Sequence, residues 1–423
     1  MLLIYRCIIS FFFPLIILII FLRSLFKKEH KLRFKEKLFS SSFNIDRKVS
    51  KKLIWFHVAS IGELKSIKSL IKKLNSDNQF EFLITTITLS SAQLFDSEFN
   101  NQDNITHRFF PLDKKKLINK FLDGWSPNLI IFVDSEIWPN FLLEINKRKI
   151  PLVLLNARIT KKTFLKWRLI PKSAEKIFKS FDLCLPASLE SGNFLNILKA
   201  KNIKYIGNLK LSSEIKVKNM NLSNKNFLIN NKFWCAVSTH EGEDLFCLKT
   251  HIRIKSAYEN FFTVIIPRHI NRVKNIELLC KNLSLKSQVI SDIDTIDLNS
   301  EIIIINSYGV IQNYLQFCKS VFIGKSMMKN LEKVGGQSPI EAAKLGCKIY
   351  HGSYVYNFKE IYELLNRYKI SEQINDEIDL SKKIISDFGN YKKNNSEKIL
   401  LINNLGNKIL NETYNEIAKI NNL

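Results

Sequence analysis

The apolar positions change their period twice along the chain. Residues 7–22 are apolar without interruption except for Ser10, with Pro14 inside the run, and residues 2–5 extend it beyond Arg6. Such a block has no polar face to turn to water, and about 20 apolar residues span a bilayer, so it reads as a membrane helix of marginal length. From residue 52 onward, short β-branched or aromatic runs take over at 53–58, 82–86, 129–133 and 152–155, with a weaker one at 203–206. Helical spacings lie between them, as at 64–74 and 114–122. Short buried strands alternating with helices predict βαβ units and parallel sheets. A polar, Asn-rich stretch at 219–231 reads as a linker, after which the alternation restarts at 234–237, 262–266, 302–305, 321–323 and 348–350. The pattern therefore predicts an anchor (1–27) and an α/β domain (28–218). A second α/β domain (219–423) follows, with a helical tail from 392 expected to pack back across a domain. Two such domains on one linker make a cleft, and ligands of open α/β sheets lie outside the carboxyl ends of the strands. Candidate chemistry is accordingly sought at strand ends.

Composition changes this picture in three ways. With 46% hydrophobic and 24% charged residues among 423, the chain can bury a core, which excludes a disordered polymer. Lys and Arg (64) exceed Asp and Glu (39) by 25, which points to an anionic partner. Part of that excess is compositional, since Lys replaces Arg almost everywhere. The charge is spread along the chain without an RNP or C₂H₂ pattern, so nucleic acid is not the expected partner. Seven scattered cysteines without C-x-x-C pairs exclude a disulfide framework and a zinc ribbon.

The apolar block is followed by Arg23, Lys27, Lys28, Lys31, Arg33, Lys35 and Lys37. This order places the rest of the chain on the cytoplasmic side and draws it to anionic head groups. No small-residue cleavage site follows, as a secretory signal would require. Crossing the bilayer and lying in its plane are both compatible with the sequence.

The first strand runs into Ser60-Ile61-Gly62-Glu63. Ser60 and Glu63 have capping-box spacing, and Glu63 is equally placed to be a carboxylate base, with Gly62 permitting close approach of a substrate. Asp134-Ser135-Glu136-Ile137-Trp138-Pro139-Asn140 follows the strand at 129–133. It offers a second carboxylate at Glu136 or, more simply, an acid favouring a helix N-terminus. Asn156-Ala157-Arg158 and Gly207-Asn208-Leu209-Lys210 end later segments. In the second half, Ser238-Thr239-His240-Glu241-Gly242-Glu243 could present backbone N–H groups to an anion. Pro267-Arg268-His269 could grip a phosphate or carboxylate. Ser307-Tyr308-Gly309 ends another strand. Gly335-Gly336-Gln337-Ser338-Pro339-Ile340-Glu341 opens a helix in a way suited to phosphate. The lone D-x-D, Asp292-Ile293-Asp294, lies in a polar stretch and reads as a loop, and the seven His lack metal-ligand spacing.

Taken together and in this order after an apolar anchor, these motifs resemble the 3-deoxy-D-manno-octulosonic acid (Kdo) transferases of lipopolysaccharide synthesis, over essentially the whole chain. The resemblance implies a GT-B glycosyltransferase fold, two Rossmann-like domains facing a cleft. It also implies inverting transfer of Kdo from CMP-Kdo to a lipid A precursor at the inner membrane, with no metal or other cofactor. Carried onto this sequence, the general base falls on Glu63, and the groups stabilising the transition state on Glu136 and Lys210. CMP contacts fall on Pro267, Arg268, Tyr308, Gly309, Val310, Ser338, Pro339, Ile340 and Glu341. Val310, Lys325 and Ser338 depart from the family pattern, and the stretch 327–334 is longer than expected; all concern the donor side. Another GT-B transferase or a nucleotide-sugar epimerase would keep the fold but lack the paired Ser60…Glu63 and Glu136–Asn140 motifs. The intact Glu63, Glu136, Lys210 and Arg268 speak against an inactive scaffold.

Overall fold

The computed structural model describes residues 1–47, 51–76, 78–99, 102–217, 219–291, 294–332, 334–389 and 396–421. They form two compact units. The first holds Met1–Ser213 and Leu405–Leu423, the second Glu214–Asn404.

Six parallel strands make the sheet of the first unit: β1 (Lys52–His57), β2 (Phe80–Thr86), β3 (Ile105–Phe109), β4 (Leu129–Val133), β5 (Leu152–Ala157) and β6 (Leu183–Pro186). Their order is β3-β2-β1-β4-β5-β6. The chain winds outward from β1 to β3, then returns to lay β4 on the other side of β1. The winding reverses between β1 and β4, and this is where a doubly wound sheet opens a crevice at its carboxyl edge. Strands β1, β2, β4 and β5 are buried almost throughout, as continuous apolar runs covered by helices on both faces must be. Trp55 is the hub of the core. Its ring lies 5.0–6.1 Å from those of Phe110, Phe121, Phe132 and Phe141, and its indole N–H donates to Thr85 Oγ1 at 2.9 Å.

The second unit carries seven parallel strands: β7 (Lys232–Thr239), β8 (Phe261–Pro267), β9 (Ser287–Ile290), β10 (Ile302–Ile305), β11 (Ser320–Ile323), β12 (Lys348–His351) and β13 (Ser371–Gln373). Their order is β13-β12-β11-β7-β8-β10-β9, so the reversal lies between β7 and β11.

The hydrophobic pattern located the central strands and missed β3, β6, β9 and β13. These lie at sheet edges; β3 and β9 are half-polar, as in Thr106-His107-Arg108 or Ser287-Gln288, and β6 and β13 have only four and three residues. The run at 203–206 makes only a single bridge, Ile203 to Cys184. The polar stretch read as a linker contains a helix, Leu222–Asn230, capped by Asn221 Oδ1 accepting from Asn224 N at 2.7 Å. The boundary falls just before it, between Ser213 and Glu214.

The tail corrects the expected domain division, because from Leu405 onward it groups with the first unit. Within the helix Ser396–Asn421, Gly406 lies so close to Leu211 that a Cβ would come within 2.2 Å of its carbonyl oxygen. Ile409 packs beside Gly207, Lys73 pairs with Asn411, and Lys204 pairs with Glu416. We expect Gly406→Ala to destabilise the first unit by roughly 1–3 kcal/mol through overpacking against backbone. Gly389→Ala, which meets nothing within 4 Å, should change stability by less than about 0.5 kcal/mol. Urea unfolding of the two variants checks the contrast.

Candidate active site

The carboxyl edge between β1 and β4 gathers three acids. Ser60 caps the helix Ile61–Leu74, its Oγ accepting from Glu63 N at 3.3 Å, and its hydroxyl donates back to Glu63 Oε1 at 2.7 Å. Glu63 Oε2 accepts from Ala59 N at 2.7 Å. The two readings of Glu63 are therefore not alternatives. The cap holds the carboxyl group at the edge of the crevice, buried to 9% exposure. Burial raises its pKa to about 7, the nearby Asp134 charge adds to the rise, and the Ser60 and Ala59 hydrogen bonds only partly oppose it.

Glu136 sits differently. His57 Nε2 lies 3.1 Å from its Oε2, and the Trp138 indole donates to the same oxygen at 2.7 Å. Burial alone would raise this carboxyl too, but the His57 and Trp138 contacts outweigh it and hold the group below its ordinary range. His57 is fully buried, stacked on Phe110 with ring centroids 3.6 Å apart, and its Nδ1 faces Thr85 Oγ1 at 3.0 Å. Two neighbouring carboxylates thus have opposite tendencies, one drawn to its proton and one held anionic, the pattern that separates acid–base roles.

Lys210 reaches this edge through a chain of small constraints. The β5–β6 pairing shifts register at Asn156, which takes a left-handed conformation (φ 51°). Asn156 Oδ1 then accepts from Leu209 N at 2.9 Å. Asn208 Oδ1 accepts from Lys210 N at 3.0 Å and caps the short turn Leu209–Ser212. The Lys210 ammonium consequently stands 3.2 Å from Asp134 Oδ2. The structure thus brings Glu63, Glu136 and Lys210 to one edge and adds Asp134, which was passed over in the sequence for Glu136. Its signal was available: Asp134 is the first residue past a wholly apolar strand, and it is held left-handed (φ 63°).

In the second unit the anion expected at Ser238–Glu243 is the chain's own. Glu243 is fully buried, and its two oxygens accept from the backbone N–H groups of His240, Lys325, Ser326 and Met327 at 2.6–3.0 Å. It ties the end of β7 to the end of β11. Gly324 is required beside it, because a Cβ there would lie 2.6 Å from Ser238 O.

The candidate donor residues fall into two groups. Pro267 and Arg268 end β8, and Tyr308, Gly309 and Val310 follow the adjacent β10; Tyr308 Oη accepts from Ile270 N at 3.4 Å. Arg268 and Tyr308 are exposed, whereas Val310 is buried and can meet a ligand only through its backbone. Ser338–Glu341 follow β11. Gly335 and Gly336 pass close to Tyr354 and Val355, where side chains would collide with backbone. The helix they precede, Ile340–Lys344, has only five residues, so its dipole is small and Ser338 is the exposed polar group at its start. Among the described residues no group of three or more His, Cys, Asp or Glu stands together so as to hold a metal; Asp292 and Ile293 lie outside those residues.

Two doubly wound α/β units define the class, a GT-B-type architecture. A glycosyltransferase from Rickettsia africae shares the fold, with a TM-score of 0.58 at 13% identity over 88% of this chain and 98% of that one. The family model described as 3-deoxy-D-manno-octulosonic-acid transferase matches residues 32–213, which carry Glu63, Asp134, Glu136 and Lys210. The Kdo transferase of Rickettsia typhi is 31% identical over 306 residues, 71% of this chain and 64% of the relative. That of Haemophilus influenzae is 25% identical over 376 residues, 87% of this chain and 85% of the relative. The chain is thus similar to the Kdo transferases, and it spans 64% of the length of the Rickettsia typhi relative.

Replacing Glu243 by Ala leaves four backbone donors without their acceptor. At about 1–3 kcal/mol for each buried unsatisfied group, the second unit should lose most of its stability. Hydrogen exchange is expected to quicken at Lys325, Ser326 and Met327 while the protection of β1 and β4 is retained.

Proposed function

We propose that this protein transfers Kdo from CMP-Kdo to a hydroxyl of the lipid A precursor, lipid IVA, with inversion at the anomeric carbon. The observation that carries this reading is Glu63, a buried carboxyl that holds its proton to near neutral pH at the open end of the first sheet. Likeness to the Kdo transferases supports the sugar and the donor. The acceptor oxygen attacks the anomeric carbon and gives its proton to Glu63. The bond from that carbon to the phosphate oxygen breaks, and its electron pair leaves on CMP. Glu136, kept anionic by His57 and Trp138, opposes the positive charge that develops on the sugar. Lys210, held by Asp134, supplies a cation for the Kdo carboxylate or for charge on the leaving group.

In the second unit Arg268, Tyr308 and Ser338 offer exposed polar groups to CMP, with Gly309 and Gly336 leaving backbone room. Pro267, Val310, Pro339 and Ile340 shape that edge, and Glu341 would accept from ribose hydroxyls. These cations and dipoles fit chemistry without a metal. The apolar helix Leu2–Leu25 and its basic flank fit attachment to the cytoplasmic face of an inner membrane with anionic lipids.

Transfer measured by mass with CMP-Kdo and lipid IVA should add one or more Kdo residues, with and without EDTA. Glu63→Ala should lose about 10²–10⁴-fold in rate. An intact acceptor after incubation with the wild-type protein would refute the donor–acceptor pair, and inhibition by EDTA would refute the metal-free scheme.

The pH dependence follows from the same group. A base must be deprotonated, so kcat/KM should rise with pH through about 7. Asp134→Asn removes a charge that raises the Glu63 pKa, and should move this limb to lower pH. Stability runs the other way. A carboxyl whose pKa is raised by folding contributes fully below its ordinary value of 4.5, and the contribution is lost as pH rises through about 7.

A further inference from the structure

The helix Leu2–Leu25 is long and apolar enough to cross a membrane. Its surroundings argue for another placement. While the other helix positions are exposed, Leu2, Tyr5, Arg6, Ile9, Phe13, Ile16, Ile17 and Ser24 are half-buried and Ile20 is buried. They recur every three or four residues, so they form one stripe along the whole length of the helix. This stripe is docked on the first unit from end to end. Near the start, Tyr5 donates to Asp113 Oδ2 at 2.7 Å. Arg6 donates to Asn140 Oδ1 at 2.9 Å and pairs with Glu144 at 3.4 Å. In the middle, the Lys114 ammonium sits 3.6 Å from the centroid of the Phe13 ring. Ile16, Ile17 and Ile20 pack with Phe34 and Leu38. At the end, Arg23 pairs with Glu29 at 2.8 Å, and Glu29 with the buried Lys37 at 2.6 Å.

The opposite face is exposed and apolar: Leu3, Ile4, Phe11, Leu15, Leu18 and Leu22 are representative. Just beyond it, exposed Phe26 and Leu32 alternate with exposed Lys27, Lys28 and Lys31. A helix docked along its full length cannot cross a bilayer without carrying its partners into the hydrocarbon. Asp113, Glu144, Lys114 and Lys147 would go with it, and a charged side chain at the bilayer centre is costly. Undocking instead would uncover Phe34 and Leu38 and take Tyr5 from Asp113 and Arg6 from Glu144.

We infer that this helix lies in the plane of one leaflet as a structural part of the first unit. Its outer face is buried in acyl chains and its lysine-rich exit touches anionic head groups, in the manner of an interfacial anchor. The inference rests on the membrane attachment proposed above and specifies its geometry. It also gives the anchor a second role. Asp113 accepts from the backbone N–H groups of Asn140 and Phe141 at 3.1 and 2.9 Å, at the start of the helix that follows Glu136 and Trp138. Tyr5 and Arg6 thus brace the segment that presents Glu136.

Cys7 is the one exposed cysteine of seven, so a nitroxide can be attached there in the full-length protein. A second label goes on Leu22→Cys in a Cys7→Ser background. The two sites are roughly 22 Å apart along the helix axis. In vesicles of phosphatidylethanolamine and phosphatidylglycerol, oxygen and nickel-chelate accessibility should place both labels at the same shallow depth. A peptide tag on the N-terminus should be biotinylated by a ligase in the cytoplasm. Labels at different depths, with the tag unmodified, would overturn the in-plane geometry while leaving membrane attachment standing. Labels that stay fully water-accessible in the presence of vesicles would overturn the attachment itself.

Discussion

Backbone N–H groups just past the end of a parallel strand have lost their ladder and still need an acceptor. The problem is sharpest where the winding reverses, because neighbouring connections leave in opposite directions and cannot satisfy one another. In this protein both reversals are closed by a glutamate from the following helix. Glu63 takes the Ala59 N–H and the Ser60 hydroxyl; Glu243 takes four N–H groups. The same device has opposite outcomes. Four donors saturate Glu243, and it is fully buried. Only two donors reach Glu63, and Asp134 lies close by, so its charge is incompletely compensated and it keeps its affinity for a proton. A structural requirement of doubly wound sheets has been left partly unmet at one of the two places, and the base proposed above rests on that deficit.

The rest of the first edge is arranged around this imbalance. His57, the last residue of β1, is buried and reaches across to Glu136, so the second acid is held anionic from inside the core. Asp134, which raises Glu63, is itself countered by Lys210. Each charge has a partner from a different strand end, and the partners are positioned by backbone features: a register shift at Asn156, an amide cap at Asn208, a left-handed residue at Asp134.

Much of this was legible in the sequence, for physical reasons that also explain the misses. Central strands are buried on both faces, so 53–58 and 129–133 announce themselves as unbroken apolar runs. Edge strands such as β3 and β9 need only one covered face and carry polar residues that mimic loops. Glu63 and Glu136 lie just past β1 and β4, where candidate chemistry is sought, whereas Lys210 follows a run that makes a single bridge, so its role comes from the resemblance alone. Asp134 was overlooked because two acids in three residues compete for one role, and which one meets Lys210 is decided by the Asn156 bulge, a long-range event. Glu243 was misread for a related reason. The Ser238–Gly242 turn does bind an anion, but nothing local reveals that the anion lies at the next residue. The tail was assigned to the second half because helical spacing carries no information about which surface it will cover.

That tail has a consequence for how the chain is made. The first unit begins with the apolar helix Leu2–Leu25 and is finished only when the segment from Leu405 closes against Leu211 and Gly207. Everything between Glu214 and Asn404 is synthesised in the interval. A ribosome will therefore have extruded the greasy N-terminal helix, and all of the second unit, before the first can be sealed. Contacts so distant in sequence form slowly, and unfinished apolar surfaces aggregate while they wait. A helix that settles early into a lipid leaflet, with its inner stripe already holding part of the first unit, would shelter that surface while synthesis continues.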